Sequence, residues 1–255
     1  MYTETEGIIL KQTKTLNGRK MIVLFSQKYG KISAGTSISE RGKNKSSLAI
    51  RPFCRGRYEL FKNRDTYNIN GAEALESFYS LGEDIDKFMA ASRILELTDV
   101  ITQEDQPQPA LYSLLCEYLS MMSLRKGSYG TLDAGFQIKA FQLEGCGIRV
   151  NKCVRCGKAR GEEDTVLSVQ EGGLVCAGCH GQSIGDPLIF TLSNDMISII
   201  DYISGHPLKS LEKLEIPAQT DGRLRPLLQA WLSCHLGVDR LKSDELWSLQ
   251  KGKEI

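Results

Sequence analysis

Eight cysteines are present, and four of them form two Cys-x-x-Cys pairs within one short segment. Cys153 and Cys156 make the first pair and Cys176 and Cys179 the second, with 19 residues between the pairs. Zn2+ prefers four thiolate or imidazole ligands at tetrahedral corners, and a Cys-x-x-Cys turn supplies two of them from one loop. The sequence between the pairs, "TVLSVQEGGLVC", indicates a hairpin that turns at Gly172-Gly173. The spacing therefore predicts a zinc ribbon with these four cysteines as ligands.

Other roles fit this segment less well. Reduced core thiols would lie in an apolar periodic sequence, and a thioredoxin-type redox site needs one Cys-x-x-Cys at a strand-to-helix turn. His180 follows Cys179 directly and is an alternative ligand, but four thiolates already complete the shell. A closed shell leaves no position for water or substrate, so we interpret the predicted zinc ion, one per chain, as structural. It would contribute folding free energy to a segment that cannot build its own core.

Charge is distributed unevenly along the chain. Residues 1 to 70 hold 14 basic and 5 acidic residues, a net charge of +9, whereas residues 71 to 255 hold 18 basic and 26 acidic residues, a net charge of −8. Such a split points to a polyanion-binding module joined to a body with another role. The strongest local element is "SERGKNKSSL", in which Arg41, Lys43 and Lys45 with Gly42 predict a mobile phosphate-binding loop.

Aromatic residues are interleaved with these cations and have two interpretations. In a single-strand binder, cations contact phosphates while aromatic rings stack on bases. Alternatively, the aromatics form the core of a small barrel and the cations solvate its outside. We favour nucleic-acid binding for the charge, but a core role for each aromatic, because they lie at alternating strand positions. The residues concerned are Tyr29, Phe53, Tyr58, Phe61 and Tyr67.

No catalytic motif is apparent in the sequence. Gly42-Lys43 resembles part of a nucleotide P-loop, but Asn44 stands where Ser or Thr is required and Ser37 stands where the earlier Gly is required. The three histidines do not form a His-Glu-x-x-His motif, and there is no Gly-x-Ser-x-Gly. Acidic pairs such as Asp84 and Asp86 lie at a predicted helix start, where the helix dipole explains them. We therefore expect a protein that is not an enzyme.

The first 70 residues predict about five short strands. "EGIILKQTK" and "KMIVLFSQ" are separated by the turn pair Asn17-Gly18, and "YGKISAG" follows a second turn at Gly30. Alternation continues through Tyr58, Leu60 and Ile69. We expect a small barrel such as an OB-fold, with a four-stranded sandwich as the alternative.

From Gly71 the apolar period changes to that of a helix. The segment "GAEALESFYSL" either closes the barrel or begins the next domain. We predict a helical body from "GEDIDKFMAASRILELTDVI", "ALYSLLCEYLSMMSL" and "LDAGFQIKAFQLEGCG". The first segment has apolar spacing that predicts a buried face with Ile85, Phe88, Met89, Ser92 and Leu95, and the second has one broad face with Leu111, Leu114, Leu115, Tyr118, Leu119 and Met122. Two further helices are predicted after the cysteine segment. Ser193 or Asn194 is the predicted N-cap of the first of these, and Gly205 its end. The fold class is thus α+β: an N-terminal small β-barrel over residues 1–78, then an α-helical domain over 79–255 with an inserted four-cysteine zinc ribbon at about 150–182.

Size and composition are those of a globular protein. The 255 residues suffice for two or three small domains, and neither a signal peptide nor a membrane span is expected. Cysteine usage favours a reducing compartment and a cytoplasmic location over a disulfide framework. The four cysteines outside the pairs have apolar neighbours and are predicted core residues: Cys54, Cys116, Cys146 and Cys234.

Taken together, these segments resemble the RecO family of bacterial recombination and DNA-repair mediators. The resemblance is carried by "EGIILKQTKTLNGRKMIVLFSQKYGKISAGTSISERGKNKSSL", by "PFCRGRYELF", by "FQIKAFQLEGCGIRVNKCVRCGK" and by "LQAWLSCHLGVDRLKSDELW". It implies an OB-fold that binds single- and double-stranded DNA, a helical body and a zinc-binding module. It also implies strand annealing and, with RecR, loading of RecA onto DNA coated by single-stranded DNA-binding protein, as part of the RecF pathway in the nucleoid.

The same resemblance implies partners and contact residues. Members of the family also bind the acidic C-terminal tail of single-stranded DNA-binding protein, which we assign to the helical body. The alternative function is a zinc-ribbon transcription or RNA-binding factor, which would prefer RNA or a promoter sequence; a metal-dependent nuclease would need a carboxylate cluster that the sequence lacks. The DNA-binding role in this chain falls on Arg19, Lys20, Lys31, Arg41, Lys43, Lys45, Arg51 and Arg57.

Overall fold

A computed structural model of the chain describes residues 2–14, 20–39, 44–64, 66–160, 165–180 and 187–244. These residues form a mixed α+β protein with an N-terminal sheet and C-terminal helices, as predicted. The chain divides into two compact units. We call Met1–Leu124 with Leu241–Ile255 the barrel unit, and Arg125–Arg240 the ribbon unit. The expected domain boundary between residues 78 and 79 stays a prediction.

Five strands of the barrel unit close into a ring in the order β1-β2-β3-β5-β4. β1 pairs antiparallel with both β2 and β4, and the ring is completed by a short parallel pairing of β3 with β5. Ile9, Leu24 and Ile32 lie opposite one another on three neighbouring strands and are almost completely buried, so alternate residues fill the interior. The strands are β1 (Tyr2–Lys14), β2 (Lys20–Ser26), β3 (Gly30–Thr36), β4 (Cys54–Asn63) and β5 (Thr66–Ser77).

One feature of this region differs from the prediction. Lys45 does not lie in a loop, because Lys45–Ala49 form a short helix, α1, whose N-cap Asn44 accepts a hydrogen bond from the amide of Ser47 at 2.8 Å. Of the two roles left open for "GAEALESFYSL", its beginning takes the first, since β5 continues to Ser77 and belongs to the closed sheet.

The two long helices of the barrel unit are α2 (Ile85–Ile101) and α3 (Pro109–Leu124). The predicted buried face of α2 is wrong at its start, where Ile85 and Phe88 are 60% and 42% exposed and the buried stripe begins only at Met89. The predicted face of α3 is confirmed throughout. Its buried members are Leu111, Leu114, Leu115, Tyr118, Leu119 and Met122.

Three long helices of the ribbon unit pack against one another, and a small sheet-containing insert lies in the chain between the first and the second of them. Ser193 caps α6 by accepting a hydrogen bond from the amide of Met196 at 3.4 Å, which confirms one of the two predicted caps. Gly237 ends α7 in the left-handed region, with φ of 66°. The elements are α4 (Tyr129–Leu143), β6 (Thr165–Ser168), β7 (Gly173–Cys176), α5 (Ala177–His180), β8 (Ile189–Thr191), α6 (Asn194–Gly205) and α7 (Ala218–Leu236).

The four cysteines outside the pairs are not all core residues. Cys54 is buried and Cys116 and Cys146 are half-buried, but Cys234 is exposed. Helix α7 extends beyond its last buried residue, Leu232, so Cys234 has no core to enter. Among the described residues, none of the helices has both the length and the apolar character that crossing a membrane requires.

Candidate metal centre and nucleic-acid interface

The four paired cysteines converge on one point of the ribbon unit. Cys153 and Cys156 lie in the loop that precedes β6, Cys176 is the last residue of β7, and Cys179 lies in α5. Their four Sγ atoms are all within 4.8 Å of one another. Among the residues that the structure describes, the group that could hold a metal ion consists of these four cysteines, and the neighbouring His180 is not part of it.

The spacing of the sulfur atoms fits four thiolates around a single ion. With metal–sulfur bonds of about 2.3 Å, the edges of a tetrahedron are about 3.8 Å long. The Sγ atoms of Cys156 and Cys176 are 3.7 Å apart, well beyond a disulfide bond of about 2.05 Å. The donor set and this distance suit zinc, although four soft thiolates do not identify the metal by themselves.

A tight turn and backbone amide hydrogen bonds position the thiols of the site. Gly157 has φ of 75°, which allows its amide to donate to the carbonyl of Cys153 at 2.9 Å and so closes the first turn. The amide of Cys176 reaches the sulfur of Cys153 at 3.4 Å, and it lowers the pKa of Cys153 to about 6, with help from the amide of Cys156. Hydrogen bonds that the protonated Cys179 thiol makes to the sulfurs of Cys156 and then Cys176 raise the pKa of Cys179, because they favour its neutral form. A divalent cation would favour the thiolate form of all four.

The hairpin predicted between the two pairs is confirmed. β6 and β7 are antiparallel, and Gly172 turns the chain with φ of 75°. Gly173 allows a close approach, because a Cβ there would lie 2.5 Å from the carbonyl oxygen of Arg149. The third strand, β8, was not predicted; it pairs with β6 over only three residues.

Arg155 links the two cysteine pairs across the site. Its Nε and Nη2 donate to the two carboxylate oxygens of Glu171 at 2.7 and 2.6 Å, a bidentate ion pair. Its Nη1 donates to the carbonyl oxygen of Cys179. One side chain from the first turn therefore holds both the hairpin and the second turn. The hydrogen bonds from Arg155 lower the pKa of Glu171.

Helix α7 supports the other side of the hairpin. His235 Nε2 lies 2.7 Å from the carbonyl oxygen of Val169, next to the turn, and its ring packs on Trp231 at 4.7 Å between centroids. Trp231 Nε1 donates to the carbonyl oxygen of Cys146 at 2.7 Å, just before the first cysteine pair. Helix α7 thus holds the hairpin of the insert at Val169 and, at Cys146, the chain that leads into the insert.

Of the eight cations predicted to bind DNA, five lie among the described residues, and their role in DNA binding stays a prediction. Arg19, Arg41 and Lys43 lie outside the described residues. Lys20 begins β2 and faces Lys14 on β1. Arg51 follows α1, and its amide donates to the carbonyl of Leu48 at 3.1 Å.

The other three predicted cations are in ion pairs. Lys31 reaches α2, where its Nζ lies 2.5 Å from the carbonyl oxygen of Asp99 and 3.4 Å from Oδ1, and its side chain is only 15% exposed. Lys45 pairs with Glu73 at 3.1 Å. Arg57 pairs with Glu4 at 3.1 Å. Sequence reasoning could not detect these pairs because their members are far apart in the chain.

Two exposed cations of the barrel were missed. Lys11 and Lys14 lie on the distal half of β1, after a shift of register between Ile9 and Lys11, and both are exposed. Within the described part of the barrel, the ion pairs involve Lys31, Lys45, Arg55 and Arg57 and neither of these two lysines. The signal was present in the sequence, since both lysines follow the apolar run of the first strand.

Some of the predicted aromatic residues are buried in the barrel core and others are only partly buried. Tyr58 and Tyr67 belong to the barrel core, with Tyr58 completely buried and its hydroxyl donating to the carbonyl oxygen of Ala49 at 2.6 Å. Phe61 is half-buried and packs on the ring of Tyr2 at 4.9 Å, and Tyr2 is 74% exposed. The core interpretation is therefore confirmed for the two tyrosines.

Comparisons with known proteins cover almost the whole chain. The family model described as "Recombination protein O N terminal" matches residues 1–78, and that described as "Recombination protein O C terminal" matches residues 82–245. A protein named DNA repair protein RecO from Alkaliphilus metalliredigens is 29% identical over 246 residues, which are 96% of this chain and 98% of the relative. Proteins of the same name from Desulforudis audaxviator and Myxococcus xanthus are 28% and 26% identical, over 91% and 94% of each chain respectively.

Proposed function

Because the chain belongs to the recombination protein O family, we propose that it is a DNA-binding recombination mediator that acts in DNA repair without catalysis of its own. It binds and anneals single-stranded DNA, also binds double-stranded DNA, and works with RecR to load RecA onto DNA coated by single-stranded DNA-binding protein. It contacts the C-terminal tail of that protein through its helical part, and acts in the cytoplasm at the nucleoid. The relatives named DNA repair protein RecO support the repair role.

The observation that carries the DNA-binding role is the charge of the barrel segment. Residues 1 to 70 have a net charge of +9, and they supply most of the closed five-stranded sheet. Phosphate backbones attract such a surface, and the release of counterions drives binding. The segment that follows is acidic and would repel DNA, so the charge supports an interface on the barrel itself.

The strand connections support an OB-fold over residues 1–78. The ring order is β1-β2-β3-β5-β4, β3 is parallel to β5, and α1 lies in the chain between β3 and β4. A five-stranded Greek-key barrel of this kind binds oligonucleotides on the face of strands 2 and 3 and on the loops between strands 1 and 2 and between strands 4 and 5. Residues 79–255 then form the helical domain that carries the metal-binding insert.

The proposed cofactor is one structural Zn2+ held by Cys153, Cys156, Cys176 and Cys179. The ion would supply folding free energy to an insert whose own core cluster has only three buried residues, Cys153, Val166 and Val175. The four sulfurs would close the coordination shell. Backbone amides and Arg155 orient the thiols. The insert therefore serves as a structural metal site and not as a reaction centre.

Fluorescence anisotropy with a labelled single strand tests the proposal. We expect affinity to fall steeply as salt is raised from about 50 to about 200 mM, because each neutralised phosphate releases counterions. A strand-annealing assay with complementary DNA coated by single-stranded DNA-binding protein tests the mediator role. Binding that does not respond to salt, or a clear preference for RNA, would contradict the proposal; the second result would favour a zinc-ribbon RNA-binding factor.

A further inference from the structure

The four cysteines of the metal centre differ in how far solvent reaches them. Resting on the proposed zinc cofactor, we propose that the centre is an oxidation-sensitive switch, in which a peroxide converts Cys156 and Cys176 into a disulfide and the metal is released. The oxidant class is a small hydroperoxide such as hydrogen peroxide. The change is reversible, because a dithiol reduces a disulfide and frees both sulfurs to bind metal again.

Cys156 is the sulfur that an oxidant in solution meets first. It is exposed, whereas Cys153 is buried and both Cys176 and Cys179 are half-buried. Metal-bound cysteines are thiolates, and the thiolate is the form that a peroxide oxidises. Oxidation is therefore expected to begin at Cys156.

A second sulfur lies within reach of Cys156 in the other turn. The Sγ atoms of Cys156 and Cys176 are 3.7 Å apart, so a movement of less than about 2 Å brings them to the length of a disulfide bond, about 2.05 Å. Cys153 is the alternative partner from the first turn, but it is buried and its sulfur accepts the amide of Cys176 at 3.4 Å. The disulfide should therefore join the two turns and not close one of them.

The oxidation balances as a two-electron step. The Cys156 thiolate attacks one oxygen of hydrogen peroxide, the O–O bond breaks, and a sulfenic acid and a hydroxide ion result. The Cys176 thiolate then attacks the sulfenic sulfur, which forms the S–S bond and expels a second hydroxide ion. The two sulfurs together lose the two electrons that the peroxide gains. Only two of the four thiolates remain, too few to close a tetrahedral shell around zinc.

The two turns stay connected after the metal has left. The disulfide would join the first turn to the end of β7, and Arg155 binds Glu171 and the carbonyl oxygen of Cys179 without needing the ion. These links span the same two turns that the ion joins. The oxidised chain should therefore keep the insert folded and take up zinc again after reduction.

The cysteines outside the metal centre provide a comparison within the same chain. Burial raises the pKa of Cys54 and of Cys116 to about 11, which keeps both as slowly reacting thiols. Cys234 is exposed and, among the described residues, lies outside the group that could hold a metal ion. Cys234→Ser removes this accessible thiol without altering the metal centre, so it is the matched control.

Titration with hydrogen peroxide tests the switch in the zinc-loaded wild type and in Cys234→Ser. A chromophoric chelator measures released zinc, and a thiol reagent counts the thiols that remain under denaturing conditions. In Cys234→Ser we expect one zinc ion to be released for every two thiols lost. Both should return after reduction and addition of zinc, and circular dichroism should show that the oxidised chain stays folded.

Peptide mapping without reduction identifies the pair. Trypsin leaves residues 153–155 and 156–158 on separate peptides, and it leaves Cys176 and Cys179 together on the peptide of residues 161–209. We expect peptide 156–158 to be linked to peptide 161–209, with fragmentation placing the bond at Cys176.

Three results would overturn the inference: a link between peptides 153–155 and 156–158, sulfonic acids in place of a disulfide, or thiol loss from the centre that leaves zinc bound. A wild-type chain that binds no zinc before oxidation would instead refute the proposed cofactor, and the switch would fall with it.

Discussion

Arg155 is predicted to control how tightly the metal is held. We would replace it by Gln, a shorter and uncharged polar side chain, which removes the bidentate pair with Glu171 and the hydrogen bond to the carbonyl of Cys179. Without this link, the first cysteine turn is no longer joined to the second. The two halves of the site can then separate more easily, so the ion should leave faster.

The size of the effect follows from the exposure of the pair. Loss of a residue that orients metal ligands usually costs between about 10- and 100-fold in metal affinity. The side chains of Arg155 and Glu171 are 43% and 31% exposed, and solvent screening reduces the strength of such a pair. We therefore expect the affinity of Arg155→Gln for zinc to be about tenfold lower than that of the wild type, at the lower end of this range. Arg155→Lys keeps the positive charge but cannot form the bidentate pair with Glu171. Its zinc affinity should therefore lie between that of Arg155→Gln and that of the wild type.

Metal transfer to a chromophoric chelator measures this directly. The protein is first loaded to one zinc per chain, which must succeed for the wild type before the comparison has meaning. Lys152→Gln is the matched control, because it removes one positive charge next to Cys153 from an exposed position. If zinc left Arg155→Gln no faster than it leaves Lys152→Gln or the wild type, the reasoning would be refuted. Glu171→Gln should release zinc at a rate between those of the wild type and Arg155→Gln.

Three further predictions test separate parts of the structure. Cys153→Ser should abolish stoichiometric zinc binding, measured by elemental analysis, and make the insert sensitive to trypsin; a folded, protease-resistant variant that lacks only DNA binding would make the site functional instead of structural. Gly30→Ala should cost about 2 kcal/mol or more in urea unfolding, because of the left-handed φ and the clash with Gln106; an unchanged midpoint would contradict close packing between Gly30 and the connection of α2 to α3. Although burial opposes its ionisation, hydrogen bonds from Ser243 and its neighbour lower the pKa of Glu96, which accepts the amide of Ser243 at 2.9 Å. Glu96→Gln should therefore cost about 1 kcal/mol at pH 7, and this difference should vanish as pH falls through the folded pKa, below the unfolded value of about 4.3; a difference that persists in acid would contradict the assignment.

Elements with a strong local signal could be predicted from the sequence. Helix α3 repeats its apolar residues with helical spacing over 16 residues, and all six predicted members are buried. The hairpin around Gly172 is specified by turn chemistry, and the convergence of the four cysteines follows from two tight turns joined by that hairpin. In each case neighbours in the sequence are enough to determine the structure.

Other features depend on contacts between distant parts of the chain. Helix α1 has five residues and β8 has three, too few to show a period. The first turn of α2 lies outside the packed part of the helix, so Ile85 is exposed although its spacing is apolar. Which lysines of the barrel are neutralised depends on strand register and on α2, as Lys31 and Asp99 show. Charge counting could indicate a polyanion-binding segment, but not the surface that binds.

Photochemical cross-linking would test the central claim most directly. A single strand containing bromodeoxyuridine is bound to the zinc-loaded wild-type chain, irradiated, and digested, and the cross-linked peptides are identified by mass spectrometry. The account predicts cross-links in peptides from residues 2–77, which contain the five strands of the barrel. Cross-links confined to residues 146–180, around the cysteine insert, would contradict it, because DNA would then be bound by the metal-binding module and not by the barrel.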